Sequence, residues 1–147
     1  MTIFESLRAD HETQRTLVDL LGKTTGAGDG RDELFTRLKR EMLAHAGAEE
    51  RYFYVPLMEH DLTQEKARHS VAEHQELDDL VEKLDEYDMS GSQWIQTAEE
   101  LSHLLIHHLD EEEREVFQLA GKALSDDEKS SLADEYEADM RRRRSES

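Results

Sequence analysis

The chain has 147 residues, enough to bury a sizeable core in one domain. It contains no cysteine, which excludes disulfides, iron–sulfur clusters and thiolate metal sites, so any metal must bind through nitrogen and oxygen. The formal net charge of −18 argues against binding to nucleic acid and to anionic membranes. No apolar run approaches the about 18 residues of a membrane span, and the N-terminus lacks the regions of a signal peptide, so we expect a cytoplasmic protein.

Four long amphipathic segments follow one another in the sequence and predict an all-α fold. Only one proline and seven glycines occur, and helix-forming residues dominate long stretches. The predicted helices span about residues 2–22, 31–58, 64–87 and 93–122. Asp29 and Thr63 are candidate N-caps of the second and third helices, and Pro56 is expected to bend or end the second helix.

Apolar residues recur at alternating spacings of three and four in all four helices, which is typical of helices that cross at about 20°. We therefore predict an up-down-up-down antiparallel four-helix bundle over residues 1–124. Residues 125–147 are expected to form a short fifth C-terminal helix, opened by a capping box at 125–128 and packed on the bundle or trailing from it. We interpret Arg141–Arg144 as a basic helix end that faces the negative end of the helix dipole, in preference to a recruitment signal.

Polar residues interrupt the inward-facing stripe of every predicted bundle helix. Burying an unpaired carboxylate or imidazole is costly, and counting residues from the turns puts these groups at one height to within about one turn. A buried two-metal site is the simplest common cause, and a hydrated polar layer without metal is the alternative. The six residues are His11, His45, Glu49, His74, His108 and Glu112.

The spacing His-x-x-x-Glu occurs four times, beginning at His45, His69, His107 and His108, and some copies are expected by chance. The pair that begins at His69 lies off the stripe, and His107 points about 100° away from His108 on its helix. The pairs beginning at His45 and His108 are therefore preferred, and their two glutamates could bridge two ions. Nitrogen and carboxylate ligands without sulfur suit iron, manganese or zinc. The other histidines, His60, His69, His103 and His107, are expected at the surface or beside the ligands.

In this order, a lone histidine, His-x-x-x-Glu, a second lone histidine and a second His-x-x-x-Glu resemble the hemerythrin-like family, the HHE cation-binding domains. The resemblance covers roughly residues 4–119. It implies a non-haem di-iron site: two iron ions bridged by carboxylates and by an oxo or hydroxo group. Such a site would meet dioxygen, hydrogen peroxide or nitric oxide, or would hold iron.

The sequence departs from the family's oxygen carriers at the third helix, where those proteins place two histidines four residues apart. Ser70 precedes His74 by four residues, so one ion is expected to be a ligand short. Water, Tyr52 or Glu115 could supply the missing ligand, and Tyr52 is also a candidate proton donor. A core role for Tyr52 and a solvated or supporting role for Glu115 are the more ordinary interpretations. The proline that often ends the fourth-helix motif is Gln118, and His107 is the main rival of His108.

Two functions follow from the resemblance. The first is a protein that binds or turns over dioxygen or hydrogen peroxide, and the third-helix departure favours peroxide decomposition of a catalase-like kind over oxygen carriage. The second is an iron or nitric-oxide sensing module whose fifth helix reports occupancy. A ferritin-like bundle needs Glu-x-x-His on two helices, but Glu100 and His103 form the only copy. A structural zinc bundle is a further alternative.

Overall fold

The computed structural model describes residues 1–26, 28 and 30–146. Asp29, the candidate N-cap, lies outside these residues. The α-helices are α1 (Ile3–Gly22), α2 (Arg31–Glu49), α3 (Val55–Met58), α4 (Gln64–Glu86), α5 (Ser92–Glu111), α6 (Phe117–Ala123) and α7 (Asp126–Glu146). Two π-helical segments connect neighbouring α-helices. The first π segment, Glu50–Tyr54, joins α2 to α3, and the second π segment, Glu112–Val116, joins α5 to α6.

Four long helical stretches, called rods below, span residues 3–22, 31–58, 64–86 and 92–123 and form the predicted antiparallel bundle. α1 packs against α2 and α5, α4 packs against α5, and α7 lies against α1 and α2. The all-α bundle with an added C-terminal helix is thus confirmed. No helix within the described residues is both long enough and apolar enough to cross a membrane.

Local side-chain bonds begin two of the helices. Thr2 and Glu5 form a capping box at α1, with the Glu5 amide donating to Thr2 Oγ1 over 3.3 Å. The predicted capping box at α7 is present, because the Ser125 amide donates to Glu128 Oε1 over 2.9 Å and the Glu128 amide donates to Ser125 Oγ over 3.1 Å. Thr63 precedes α4 without capping it, since its hydroxyl donates to the Leu57 carbonyl over 2.6 Å and closes the turn instead.

Pro56 lies in the last turn of its helix, which ends two residues later at Met58, near where the sequence predicted the helix to end. The proline follows the first π segment, in which hydrogen bonds run from residue i+5 to residue i, as from the Val55 amide to the Glu50 carbonyl. A π segment therefore accommodates this irregularity within a continuous helix.

The apolar core is divided into two clusters by a buried polar layer. One cluster includes Ile3 and Phe53, and the other includes Leu17 and Trp94. Along each of the four rods, the chain passes from one cluster to the other near the polar residues of the inward stripe. The fold thus holds these residues between two packed apolar layers that exclude water.

Candidate metal centre

Both His-x-x-x-Glu motifs lie directly at the start of a π segment. Glu49 is the last residue of α2, and Glu112 is the first residue of the second π segment. A π segment adds one residue to a helical turn, and such bulges are frequent at functional sites. Periodicity in the sequence did not predict either segment, because an α-helical spacing continued past Glu49 and Glu112 overlooks the one-residue shift of the buried face that each insertion causes.

The structure brings all six inward-facing residues together in the buried polar layer. They form two groups, within each of which one donor atom per residue lies within 4.8 Å of the others. The two groups share both glutamates, and each adds two imidazoles, so neither group is poorer in ligands than the other. The first group is His11, His45, Glu49 and Glu112, and the second is Glu49, His74, His108 and Glu112.

The Nε2 atom of each imidazole faces the shared carboxylates. His11 Nε2 lies 3.2 Å from Glu112 Oε1, and His45 Nε2 lies 3.4 Å from Glu49 Oε1. On the other side, His74 Nε2 lies 3.1 Å from Glu49 Oε1, and His108 Nε2 lies 3.7 Å from Glu112 Oε2. The four nitrogens and four oxygens therefore converge within one small volume.

Most of these atoms approach one another without the alignment of a hydrogen bond. Leaving a buried polar atom unpaired costs about 1–3 kcal/mol, and more when it is charged. Cations placed among the converging atoms would satisfy all of them, so the residues present fit a metal centre. The buried atoms that lack a hydrogen-bond partner in this layer are His11 Nε2, His45 Nε2 and both carboxylate oxygens of Glu49 and Glu112.

The two shared carboxylates cannot both be charged at low cost without a cation. Burial, and then the neighbouring charge of Glu49, raise the pKa of Glu112 well above its usual range. Burial also acts to raise the pKa of Glu49, but the adjacent imidazoles, His45 first, hold it well below. Burial opposes protonation of His74, yet the nearby carboxylates of Glu49 and Glu50 raise its pKa to about 9. Without a cation, protons on Glu112 and His74 thus compensate the buried carboxylates, a role that positive ions would take over.

The second ring nitrogen of each imidazole is held by a further side chain. His11 Nδ1 lies 2.6 Å from Glu113 Oε2, and His74 Nδ1 lies 3.0 Å from Glu50 Oε1. Such outer partners fix the ring orientation of metal-bound histidines and leave Nε2 free to bind.

The histidines of the two His-x-x-x-Glu motifs have partners on other helices. His108 Nδ1 lies 2.8 Å from Glu73 Oε1 of α4, and His45 Nδ1 lies 2.6 Å from the hydroxyl of Tyr136 of α7. The rival His107 is outside the layer: its side chain is 62% exposed, and it pairs with Glu111 over 2.9 Å. His108 is therefore the histidine that faces the shared carboxylates.

The family of the chain can now be stated. The sequence model of the hemerythrin HHE cation binding domain matches residues 2–120. The chain belongs to the hemerythrin HHE cation-binding domain family. The family and the buried groups of histidine and glutamate together indicate metal binding.

This HHE domain is also similar in structure to a solved protein. The crystal structure of a hemerythrin HHE cation binding domain-containing protein from Mycobacterium kansasii superposes with a TM-score of 0.89 at 22% sequence identity, covering 99% of this chain and 89% of that one. At this identity the likeness shows the fold. No curated protein matches the chain.

One outer partner of the HHE domain connects the layer to the C-terminal helix. The Tyr136 hydroxyl donates to Asp10 Oδ2 over 2.6 Å, and Arg144 Nη2 donates to Asp10 Oδ1 over 2.8 Å. Nothing local in the sequence links Tyr136 to His45, which lies 91 residues away. Arg144 lies in the last turn of α7, as the sequence indicates, and it also pairs with Glu41 over 3.0 Å.

Of the two tyrosines in the first π segment, Tyr54 and not Tyr52 packs beside an imidazole of the layer. The Tyr54 ring centroid lies 5.5 Å from that of His74, and its hydroxyl is buried without a hydrogen-bond partner. Tyr52 is half-buried under the guanidinium of Arg51, which lies 5.4 Å from its ring centroid. The first π segment explains the difference, because its additional residue moves the inward position of this turn along the chain.

The other candidate ligands lie away from the shared carboxylates. Glu115 is half-exposed and pairs with Lys66 over 3.4 Å. Ser70, which stands where oxygen carriers have a histidine, is buried in α4. His60 is half-buried and His103 is exposed, as expected of residues outside the layer.

A cavity of about 440 Å³ adjoins the second group of imidazoles. His45, His74 and His108 line its inner wall, and exposed Leu43 lines it toward the surface. Gln14 also lines the cavity, and its buried amide nitrogen has no hydrogen-bond partner. A small molecule in this cavity would lie against the imidazoles and beside Gln14.

Proposed function

We propose that the chain is a non-haem di-iron protein that binds or turns over a small oxidant, dioxygen or hydrogen peroxide. The observation that supports this most is the pair of matched buried groups that share Glu49 and Glu112. His11 and His45 would hold one iron, His74 and His108 the other, and the two glutamates would bridge them. When bound, the iron pair would supply a redox change shared between two metals at a position open to exchange.

The residues around the cavity would handle the oxidant. The apolar walls would exclude bulk water, and the Gln14 amide would donate a hydrogen bond to an oxygen atom of the bound molecule. The unpartnered hydroxyl of Tyr54, whose ring lies beside that of His74, would be the proton donor. This assigns to Tyr54 the role that the sequence suggested for Tyr52.

Metal analysis with a visible spectrum and a peroxide assay tests this proposal. Two irons per chain, visible charge-transfer absorption and oxygen release from hydrogen peroxide are the expected results. One zinc per chain and a colourless protein would refute the di-iron site. Reversible oxygenation without gas release would refute the catalase-like version alone.

A matched pair of variants strengthens the test. His108→Ala removes a buried imidazole, whereas His107→Ala removes the exposed neighbour on the same helix. We expect the first variant to lose iron and the second to retain two irons per chain. Equal iron content in both variants would contradict the assignment of His108.

A sensing module is the second candidate, and the hydrogen-bond chain from His45 through Tyr136 and Asp10 to Arg144 favours it. Loss of metal would free the His45 ring and weaken the docking of α7. Hydrogen exchange over residues 126–146, measured with and without metal, tests this: faster exchange in the metal-free protein is expected. Unchanged exchange would count against it, and Tyr136→Phe serves as a variant in which the chain is already broken.

A further inference from the structure

The two His-x-x-x-Glu motifs that do not enter the buried layer lie side by side on its outer surface. His69 and Glu73 are on α4, and His107 and Glu111 are on α5. His69 Nε2 lies 3.6 Å from Glu73 Oε2 and 3.5 Å from Glu111 Oε1. His107 Nε2 lies 2.9 Å from Glu111 Oε2. This outer cluster thus repeats, on adjoining helices, the donor types of the buried groups.

Burial and a hydrogen bond hold the Glu73 side chain of the outer cluster in place. The residue is only 7% exposed, and its Oε1 is 2.8 Å from His108 Nδ1, which holds the carboxylate in one orientation. Its other oxygen, Oε2, accepts no hydrogen bond from any described residue and is directed at His69. Because this oxygen faces only the His69 imidazole, across 3.6 Å, it is available to bind a cation between the two side chains.

The charge of the outer cluster also favours a cation. Glu73 and Glu111 form ion pairs only with histidines in the described part of the chain, and no lysine or arginine neutralises them. Single donor atoms of His69, Glu73 and Glu111 lie within 4.8 Å of one another, a separation that a small contraction would bring to the spacing of ligands on one ion. His69 is 56% exposed, so an ion could arrive directly from solvent.

We propose that His69, Glu73 and Glu111 form a separate outer site for a divalent transition cation, with His107 as an additional ligand or as the partner that orients Glu111. A set of imidazole and carboxylate donors suits Zn²⁺, Fe²⁺ and Mn²⁺, and disfavours Ca²⁺ and Mg²⁺, which prefer oxygen alone. The outer site differs from the buried groups in exposure and shares no residue with them.

The outer site touches the buried layer through one hydrogen bond, and this consequence rests on the proposed function. A cation on Glu73 Oε2 would draw negative charge away from Oε1 and weaken its bond with His108 Nδ1. His108 would then be a poorer donor to the metal at its Nε2. Occupancy of the outer site would thereby adjust the electronic properties of the buried centre.

Zinc titration of the protein as isolated, with its resident metal in place, tests the outer site. We expect one Zn²⁺ to bind per chain by calorimetry and equilibrium dialysis while the resident metal content stays constant. His69→Ala should weaken this binding by about 10-fold or more, since even outer partners of a metal site are worth about 10–100-fold. The matched control is His103→Ala, which removes an exposed histidine one turn before His107 on α5.

Two results would overturn the outer site: no zinc bound beyond the resident metal, or equal zinc affinity in the His69→Ala and His103→Ala variants. Neither result depends on the identity of the resident metal, so failure of the di-iron proposal would be seen separately, as absence of iron. Visible absorption separately tests the proposed link through Glu73 between the outer site and the buried layer. Zinc should shift the visible absorption of the iron-loaded protein, and the shift should vanish in His69→Ala; an unchanged spectrum at saturating zinc would refute the link.

Discussion

The four rods of the bundle supply the buried layer in two different ways. The two rods that carry a shared glutamate contain a π segment beside it, whereas α1 and α4, which each contribute one histidine to the buried layer, are regular throughout. Each π rod also has a second glutamate directly after the shared one. Glu50 holds His74 of α4, and Glu113 holds His11 of α1. The irregular rods thus orient the histidines of the regular ones.

Geometry explains why a π segment serves this purpose. On an α-helix of 3.6 residues per turn, consecutive side chains diverge by about 100°. A π turn contains more residues, so consecutive side chains diverge less. Glu49 and Glu50 can therefore both reach the layer, one toward the shared centre and the other toward the outer nitrogen of His74.

The largest expected effect distinguishes shared from unshared ligands. Glu49→Gln removes a carboxylate common to both groups, whereas His11→Ala removes a ligand of one group only. We expect Glu49→Gln to deplete both metals, by more than the about 10–100-fold loss of affinity typical of outer-partner changes. His11→Ala should leave one metal bound. Metal analysis after dialysis measures this, and equal loss in both variants would contradict a bridging role for Glu49.

Deleting Arg51, an exposed residue of the first π segment, tests the role of the irregular turn. The shorter chain can form a continuous α-helix from α2 into α3, in which Glu50 turns away from His74. We expect unchanged helical content by circular dichroism and a fall in metal affinity of about 10–100-fold. The control is Arg51→Ala, which keeps the chain length and should retain metal. Normal metal affinity in the deletion variant would show that the π segment is dispensable.

Sequence periodicity alone predicts the helical bundle and the convergence of the six polar residues, because each rod keeps one buried face over its whole length. Their role as metal ligands remains a prediction. The π segments were not predicted, since an unbroken α-helical repeat places the inward positions after Glu49 one residue too early. The repeat therefore pointed to Tyr52, whereas the structure places Tyr54 beside His74.

The hydrogen bond between Tyr136 and His45 could not be predicted from the sequence either. Tyr136 lies 91 residues from His45 in the sequence, and only the docking of α7 brings the two together. Glu73 likewise belongs to the motif that lies off the inward-facing stripe of its helix. Its carboxylate nevertheless contacts His108 Nδ1 from the outer side of the layer. Outer partners depend on long-range packing, which a stripe on one helix does not encode.

Tyr136→Phe should have a smaller effect, confined to one group. This substitution removes the hydroxyl that accepts a hydrogen bond from His45 and donates one to Asp10, so each of these two residues loses a hydrogen-bond partner. We expect metal affinity to fall by about 10-fold, in the first group only, and the free energy of unfolding to fall by about 1–3 kcal/mol. Tyr52→Phe is the control and should change neither. Metal titration and urea unfolding measure the two effects, and identical behaviour of both variants would refute the tie between α7 and His45.

The smallest effect on metal binding concerns the far end of α7, beyond the polar layer. Buried Asp139 pairs with Arg142 and with Arg143, the latter over 2.7 Å. Arg143 in turn packs on Gly47 of α2, where an added Cβ would clash with its guanidinium. Burial acts to raise the pKa of Asp139, but the hydrogen bonds from the two arginines lower it overall.

A carboxylate with a lowered pKa in the folded state stabilises the protein fully above its unfolded pKa of about 3.9, and this stabilisation is lost as pH falls through the lowered folded pKa. Asp139→Asn should therefore reduce the free energy of unfolding by about 1.5–3 kcal/mol at pH 7, with a difference from the parent protein that narrows in acid. Denaturant unfolding at several pH values measures it. Because this pair lies outside the polar layer, the variant should retain its metal; loss of metal would instead show that the whole of α7, and not Tyr136 alone, supports the buried groups.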